Sequence, residues 1–184
     1  MNLKEKKLNS TQLYSGKVFK ARVDEVLLPN NTVSKREVIE HIGGVCVAAQ
    51  AHDGTFFIVK QFRYPHDAIL TEFPAGKKEH GEDALETAKR ELQEEVGYIA
   101  KEWVSLGQCI PTPAYDEEII DLFYAKDLEF VGQNWDPEEF LLIESLSLEE
   151  ISNLIMANEI RDAKTICLTF KLSEYMQKHV LSSK

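Results

Sequence analysis

Five glutamates surround a single arginine, Arg90, between residues 82 and 97, in the stretch EDALETAKRELQEEVG. At about 100° of rotation per residue, the apolar residues of this stretch recur on one side of a helix. That spacing predicts a helix over 83–96 that ends at Gly97, a residue type favoured just after a last turn. The predicted core-facing stripe consists of Leu85, Ala88, Leu92 and Val96.

Glu91 and Glu95 are one helical turn apart at the edge of this stripe, and Glu94 lies further toward solvent. Two like charges at this spacing cost a few tenths of a kcal/mol, and partial burial adds to that cost. A bound divalent cation would turn the repulsion into attraction, because Mg²⁺ and Mn²⁺ prefer oxygen ligands. The alternative is a solvated acidic face without a ligand.

The spacing of the whole stretch from Gly76 onward resembles the Nudix box, G-x5-E-x7-R-E-U-x-E-E-x-G-U, in which U is a bulky aliphatic residue. Every fixed position matches except the last, where Tyr98 replaces the aliphatic residue. The resemblance implies a Nudix hydrolase, which uses water and a divalent metal to cleave a nucleoside diphosphate linked to another group. Such chemistry needs metal to neutralise phosphate charge and to activate water.

Carried over position by position, the resemblance implies a role for each residue of the box. Glu94 and Glu95 are expected to act in catalysis as metal-binding residues. The expected metal ligands are Glu91, Glu94, Glu95 and the main-chain oxygen of Ala75, and the expected metal is Mg²⁺ or Mn²⁺. The expected structural residues are Glu82 paired with Arg90, Gly76 as a tight turn near the metal, and Gly97.

Three further stretches resemble the ADP-ribose pyrophosphatase group of this family. EFPAG, at 72–76, resembles its lead-in to the box, and PTPAYDEE, at 111–118, resembles its proline loop, although Ala114 replaces a glycine. The N-terminal hairpin, QFRY and IRDAKT also resemble that group. The resemblance therefore extends over roughly residues 16–180.

Several substrate-site residues follow from this second resemblance. Glu118 matches a loop glutamate that acts as a general base or positions water, and Glu117 is the alternative if the register slips by one. The expected substrate-binding residues are Arg36, Arg63, Glu72 and Pro113. The alternatives are a surface ion pair for each arginine, and Glu72 either pairs with Arg63 or faces the ligand.

Composition limits the classes of partner. The chain has 184 residues, a net charge of −10 and 43% hydrophobic residues. An acidic chain is a poor partner for long nucleic acid, because phosphate neutralisation needs a basic face. The N-terminus has no apolar signal-peptide core, no run is long enough to span a membrane, and three scattered cysteines indicate a reducing compartment. A cytoplasmic protein without nucleic-acid or membrane partners is expected.

The order of elements predicts the fold class. Alternating residues predict strands at 18–29 and 33–42, which form a hairpin, whereas residues 1–12 are predicted to be frayed or arm-like. Further strands with three interleaved helices predict an α+β fold or a layered α/β/α sandwich. The resemblance implies the second of these, an α/β Nudix-fold α/β/α sandwich with a mixed sheet. The resemblance implies an N-terminal β-hairpin arm for homodimerisation at 1–42 and the Nudix hydrolase domain at 43–184. It also makes Tyr14 and Phe19 candidates for adenine stacking, and the alternative for each is packing in the core or at a dimer interface.

The expected reaction is hydrolysis of the pyrophosphate bond of a nucleoside diphosphate sugar, most specifically ADP-ribose plus water giving AMP and ribose 5-phosphate. Three alternatives remain open at this point. The substrate could be GDP-mannose or another nucleotide sugar, the chain could be a catalytically silent nucleotide-binding module, or it could be an acidic interaction protein without a ligand.

Overall fold

The computed structural model describes residues 2–133 and 140–180. It contains two compact units. The first consists of the chain up to Gly43 together with Ile110–Ile119, and the second of Gly44–Cys109 together with the chain from Ile120 onward. The assignment of separate roles to an N-terminal arm and a hydrolase domain stays a prediction.

The first unit contains a three-stranded antiparallel sheet in the order β1-β2-β3. Its strands are β1 (Lys6–Ser15), β2 (Lys20–Leu27) and β3 (Val33–Glu40). The predicted hairpin of β2 and β3 is confirmed. The prediction of a frayed segment at 1–12 is wrong for β1, which pairs with β2 through its backbone although all of its residues are exposed. A strand without a buried face has no alternating apolar pattern, so the sequence carries little signal for it.

The second unit contains two sheets. A four-stranded mixed sheet has the order β7-β4-β9-β8, with β4 and β9 parallel, and an antiparallel sheet has the order β10-β5-β6. The strands are β4 (Gly44–Ala49), β5 (Phe56–Arg63), β6 (Ala68–Glu72), β7 (Ala75–Lys77), β8 (Tyr98–Cys109), β9 (Ile120–Phe130) and β10 (Leu141–Leu146).

Among the described residues, three α-helices accompany these sheets: α1 (Ala84–Glu91), α2 (Leu148–Met156) and α3 (Ala163–Val180). A π-helical turn, Leu92–Val96, continues α1 to Gly97, so the predicted helix over 83–96 is present but its last turn is wider than an α-helix. Across residues 2–133 and 140–180, no helix has both the length and the apolar character needed to cross a bilayer.

Strand β4 is buried on both faces and separates two apolar clusters. Cys46 and Ala48 belong to the cluster that includes residues of α2 and α3, whereas Val45 and Val47 belong to the cluster of α1. Successive residues of a strand point to opposite faces, so the sheet lies between two helical layers. The predicted α/β/α sandwich is therefore confirmed, and it places α1 and its glutamates on one face of the mixed sheet.

The capping box of α2 leads to a stability prediction. Ser147 Oγ accepts a hydrogen bond from the Glu150 amide at 3.2 Å, and Glu150 accepts one from the Ser147 amide at 2.8 Å. We expect Ser147→Ala to lower the free energy of unfolding by about 1 kcal/mol, measured by urea denaturation. Ser173→Ala is the matched control, because Ser173 lies inside α3, where alanine is favoured. An unchanged midpoint for Ser147→Ala would contradict the capping role.

Candidate functional site

The acidic helix begins at a capped end and finishes at a glycine. The Asp83 side chain accepts a hydrogen bond from the Leu85 amide at 2.9 Å, which satisfies a donor at the start of α1. Gly97 has a φ of 84°, and its amide donates to the Gln93 carbonyl at 2.9 Å. This left-handed conformation suits glycine and stops the helix directly after its last glutamates.

Two glutamates of this helix are more buried than the edge positions predicted from the sequence. Glu91 is only 7% exposed and Glu95 only 3% exposed, whereas the Glu94 side chain keeps 35% of its surface. The predicted core stripe is confirmed, since Ala88, Leu92 and Val96 are buried and Leu85 packs against them. Burying an ionised carboxylate is costly unless a cation or hydrogen-bond donors compensate it.

Arg90 places a positive charge next to Glu91 and Glu94. Its Nε and Nη2 donate to the two carboxylate oxygens of Glu82 at 3.1 Å each, and Nη2 also donates to the Lys77 carbonyl. Its Nη1 donates to Glu91 at 2.8 Å and to Glu94 at 3.0 Å. The hydrogen bonds from Arg90 lower the pKa of Glu82 to about 2, and that same pairing raises the pKa of Arg90. One guanidinium therefore joins the loop before α1 to two of the acidic side chains.

Strand β7 packs directly against the same carboxylates. The Ala75 amide donates to Glu95 Oε2 at 3.1 Å. A Cβ atom built on Gly76 would lie 1.9 Å from Glu91 Cδ, so a larger residue would displace that carboxylate. We expected Gly76 to serve a tight turn, but it lies in a strand without a left-handed φ. Glycine is needed here because the Glu91 carboxylate occupies the space of a side chain.

This cluster fits a divalent cation by the chemistry of its donors. Within residues 2–133 and 140–180, no three or more acidic, histidine or cysteine side chains are already arranged as a metal site. Glu91 and Glu94 point to Arg90, and Glu95 to the Ala75 amide. Carboxylate oxygens within two helical turns of one another nevertheless match the preference of Mg²⁺ and Mn²⁺ for hard oxygen ligands. The space beside Gly76 lets one of these carboxylates reach the strand.

Arg63 and Glu72 form a second charged group in the same unit. Arg63 Nε and Nη2 donate to the two oxygens of Glu72 at 2.8 and 2.7 Å, and Lys164 Nζ donates to the same carboxylate. Glu72 is only 2% exposed. Burial raises the pKa of Glu72, but the hydrogen bonds from Arg63 and the charge of Lys164 outweigh it, so the pKa falls to about 2. Of the two alternatives for Glu72, the structure shows the pair with Arg63.

Lys164 extends this group to the start of α3, and sequence reasoning did not single it out. Burial lowers the pKa of Lys164, but the carboxylates of Asp162 and Glu72 outweigh that effect and raise it. Asp162 accepts from Lys164 at 3.0 Å and from the Thr165 hydroxyl at 2.7 Å. Thr165 in turn accepts a hydrogen bond from the Phe73 amide, next to Glu72. The stretch IRDAKT was the only sequence signal for these residues.

The remaining predicted substrate residues lie in the first compact unit. Arg36 donates to both carboxylate oxygens of Glu5 at 3.0 and 2.6 Å, which is the surface ion pair considered as its alternative. Pro113 is exposed in the loop before β9. Tyr14 and Phe19 are exposed at 53% and 39%, and their ring centroids lie 5.3 Å apart. Their roles in binding stay predictions.

The two loop glutamates have different partners. Glu117 pairs with Arg22, whose Nη2 donates to Glu117 Oε1 at 2.5 Å. The Glu118 amide donates to Asp116 Oδ1 at 2.9 Å, and Glu118 Oε1 lies 3.3 Å from His41 Nδ1. The Glu118 side chain is 26% exposed, against 49% for Glu117. The two glutamates between which the sequence could not choose therefore lie in different surroundings. Nothing in the sequence indicated Arg22, the partner of Glu117.

Two family models match the chain in succession. The model of the nucleoside diphosphate sugar hydrolase N-terminal domain matches residues 5–39, and the model of the NUDIX domain matches residues 40–168. The NUDIX match includes the helix of clustered glutamates, the Arg63–Glu72 pair and the proline loop.

Known proteins resemble the chain over most of its length. An ADP-ribose pyrophosphatase of Bacillus subtilis (strain 168) is 39% identical over 166 residues, which cover 89% of this chain and 90% of that protein. A methanol dehydrogenase activator of Bacillus methanolicus is 39% identical, over 88% and 89% of the two chains. A crystal structure of an ADP compounds hydrolase superposes with a TM-score of 0.86 at 20% identity, over 97% of this chain and 98% of that one. At that identity the structural match shows a shared fold.

The lowered pKa of Glu72 predicts a specific acid sensitivity. Its pKa is about 2 in the fold against a usual 4.5, so its contribution is complete above pH 4.5 and is lost as the pH falls toward 2. That shift corresponds to about 3 kcal/mol. We expect Glu72→Gln to unfold more easily at pH 7, because Arg63 and Lys164 lose their shared anion, and to show a flatter loss of stability below pH 4.5.

The measurement is urea unfolding at a series of pH values. Glu144→Gln is the matched control, since it removes the half-exposed partner of Lys60 and should cost less than about 1 kcal/mol. Equal stability losses in the two variants at pH 7 would show that the buried carboxylate contributes no more than a surface one.

Proposed function

The chain belongs to the Nudix hydrolase family. We propose that it hydrolyses ADP-ribose. In this reaction water cleaves the pyrophosphate bond, and the products are AMP and ribose 5-phosphate. One relative that covers nearly the whole chain and one family model support this proposal differently. The relative is named for ADP-ribose hydrolysis, which supports the substrate directly. The match of residues 5–39 to the N-terminal domain of nucleoside diphosphate sugar hydrolases supports the wider substrate class.

The observation that carries the hydrolase assignment within this chain is the buried pair Glu91 and Glu95 beside Gly76. We assign Glu91, Glu94, Glu95 and the main-chain oxygen of Ala75 as ligands of Mg²⁺ or Mn²⁺. When bound, such a cation neutralises pyrophosphate charge and lowers the pKa of a coordinated water. Glu94 and Glu95 thereby act in catalysis.

Structural roles fall to the other residues of the box. The ion pair of Arg90 and Glu82 holds the loop before α1 against the helix. Without a bound metal, Arg90 also compensates the negative charges of Glu91 and Glu94. Gly76 provides room for the Glu91 carboxylate, and Gly97 ends the helix after Glu95. These residues keep the ligands in place without contacting the reacting atoms.

Substrate contacts are assigned to two arginines and to the proline loop. Arg63 meets the phosphates of the substrate while Glu72 fixes its guanidinium, since a planar fork suits phosphate oxygens and gains from being held in advance. Arg36 is a second phosphate contact, released from Glu5 when substrate binds. Pro113 shapes the loop, and Glu118 takes the proton of the attacking water or positions it.

The assembly we propose is a homodimer formed through the N-terminal sheet. Its exposed apolar side chains include Leu13, Val18, Phe19 and Val33, and covering them would remove apolar surface from water. Tyr14 or Phe19 would supply the stacking surface for adenine. The cytoplasm stays the predicted location, and no nucleic-acid or membrane partner is proposed.

A panel of substrates separates this proposal from its rivals. We expect phosphate release, coupled to phosphatase in about 5 mM Mg²⁺, to be fastest from ADP-ribose, with kcat/KM above those for ADP-glucose, GDP-mannose, NADH, FAD and a diadenosine polyphosphate. Preference for another compound would keep the hydrolase and reject ADP-ribose. Hydrolysis of none, with nucleotide binding preserved, would indicate a silent binding module, and neither activity nor a Mg²⁺-dependent melting shift would indicate an acidic interaction protein.

Glu95→Gln tests the metal assignment. We expect kcat to fall by about 100-fold or more, because a neutral amide oxygen is a weak ligand. The fold should persist without metal and become slightly more stable, since one of two repelling charges is gone while an oxygen remains to accept from the Ala75 amide. The measurements are steady-state kinetics and the Mg²⁺-dependent shift in melting temperature.

Glu86→Gln is the matched control on the same helix, because the Glu86 side chain is 62% exposed and pairs with Lys89. Its kcat should stay within about twofold of that of the unmodified chain. Full activity in Glu95→Gln would reject Glu95 as a metal ligand.

A further inference from the structure

The loop that carries Glu118 pairs with the end of β3. The Ile39 amide donates to the Tyr115 carbonyl at 2.7 Å, and the Glu117 amide donates to the Ile39 carbonyl at 3.0 Å. Both bonds involve Ile39 of β3, so the loop at 110–119 pairs with the edge of the sheet through one parallel bridge, between Ile39 and Asp116. Backbone pairing sets the path of the loop, but one bridge leaves it weakly held.

Arg22 adds a side-chain connection from the neighbouring strand. Only 13% of its side chain is exposed, and it contacts three carboxylates. Nη2 and Nη1 donate to the two oxygens of Glu117 at 2.5 and 3.3 Å, Nη1 also donates to Glu40 at 2.7 Å, and Nε donates to Asp24 at 3.1 Å. The hydrogen bond that Arg22 donates to Glu117 is the largest cause of the raised pKa of Arg22. A guanidinium holds five N–H donors in a fixed planar fork, and the three rotatable donors of a lysine ammonium do not reproduce that geometry.

We propose that Arg22 is a positioning residue, which acts through Glu117 to hold the loop in the conformation that presents Glu118. This inference rests on the proposed function, in which Glu118 is the base or water-positioning residue. It also gives the two neighbouring glutamates different roles. Glu117 fixes the loop through its ion pair with Arg22, and Glu118 takes the proton of the attacking water or positions that water. A general base must lie within hydrogen-bond reach of its water, and a displacement of about 1 Å can cost about 100-fold in rate.

The partners of Glu118 agree with this division. Its amide bonds to Asp116, and its carboxylate lies near His41 and makes no ion pair with Arg22 in the described part of the chain. Arg22 is anchored to its own strand and to β3 by Asp24 and Glu40, so it keeps its place when Glu117 is altered. Removing the Glu117 carboxylate therefore releases the loop and leaves both strands intact.

The test combines Arg22→Lys, Glu117→Gln and the double variant in the ADP-ribose assay. We expect each single change to lower kcat by about 10-fold, and the double variant to be no slower than the slower single variant, because both changes remove the same contact between Arg22 and Glu117. The pH dependence of kcat should keep its shape, since Glu118 still acts. Glu37→Gln, an exposed glutamate of β3, is the matched control and should keep full activity.

Hydrogen exchange of the amides at 110–119 gives a readout that does not depend on turnover. Exchange should become faster in Arg22→Lys and Glu117→Gln but not in Glu37→Gln. Full activity with unchanged exchange in both variants would overturn the inference. A large loss in Glu117→Gln with full activity in Arg22→Lys would also overturn it, because Glu117 would then act directly. An unmodified chain that hydrolyses nothing in the panel would instead overturn the proposed function.

Discussion

The ion pairs of Arg90 are the interaction on which the candidate site depends. One guanidinium contacts Glu82, Glu91 and Glu94, and so compensates carboxylates that would otherwise repel one another along a partly buried helix face. Without that compensation, placing Glu91 at 7% exposure would cost several kcal/mol. The same contacts draw the loop before α1 onto the helix. Arg90 thus holds together the carboxylates that we propose as ligands of a metal cation.

A second charged group, centred on the buried Glu72, connects the strands to the last helix. Glu72 lies at the end of β6 and pairs with Arg63 at the end of β5 and with Lys164 in the first turn of α3. In a low-dielectric setting such pairs are strong, but removing one partner leaves an uncompensated charge. The hydrogen bonds to Glu72 are the largest cause of the raised pKa of Arg63, burial opposes them, and the charges of Asp162 and Glu95 add to the rise. The phosphate-binding candidate and the metal-binding candidate are therefore electrostatically coupled within one unit.

Local patterns were sufficient for some of these features and insufficient for others. The core stripe of α1, the β2–β3 hairpin and the layered architecture follow from periodicity, turn residues and the order of elements. Strand β1 escaped prediction because none of its residues is buried. The roles of Lys164 and Arg22 were not predicted, because their partners, Glu72 and Glu117, are 92 and 95 positions away in the chain. No local pattern reports a pair at that separation.

The sequence by itself determined the family, the helix and the set of acidic side chains, because these depend on residue types at fixed short spacings. Tertiary structure alone decided how the charges are shared. It buried Glu91 and Glu95 more deeply than a helix wheel indicates, and it placed the Glu91 carboxylate where a side chain of residue 76 would lie. It also gave Glu117 and Glu118 different partners. Burial and ion pairing depend on which distant segments meet, and only the folded chain brings them together.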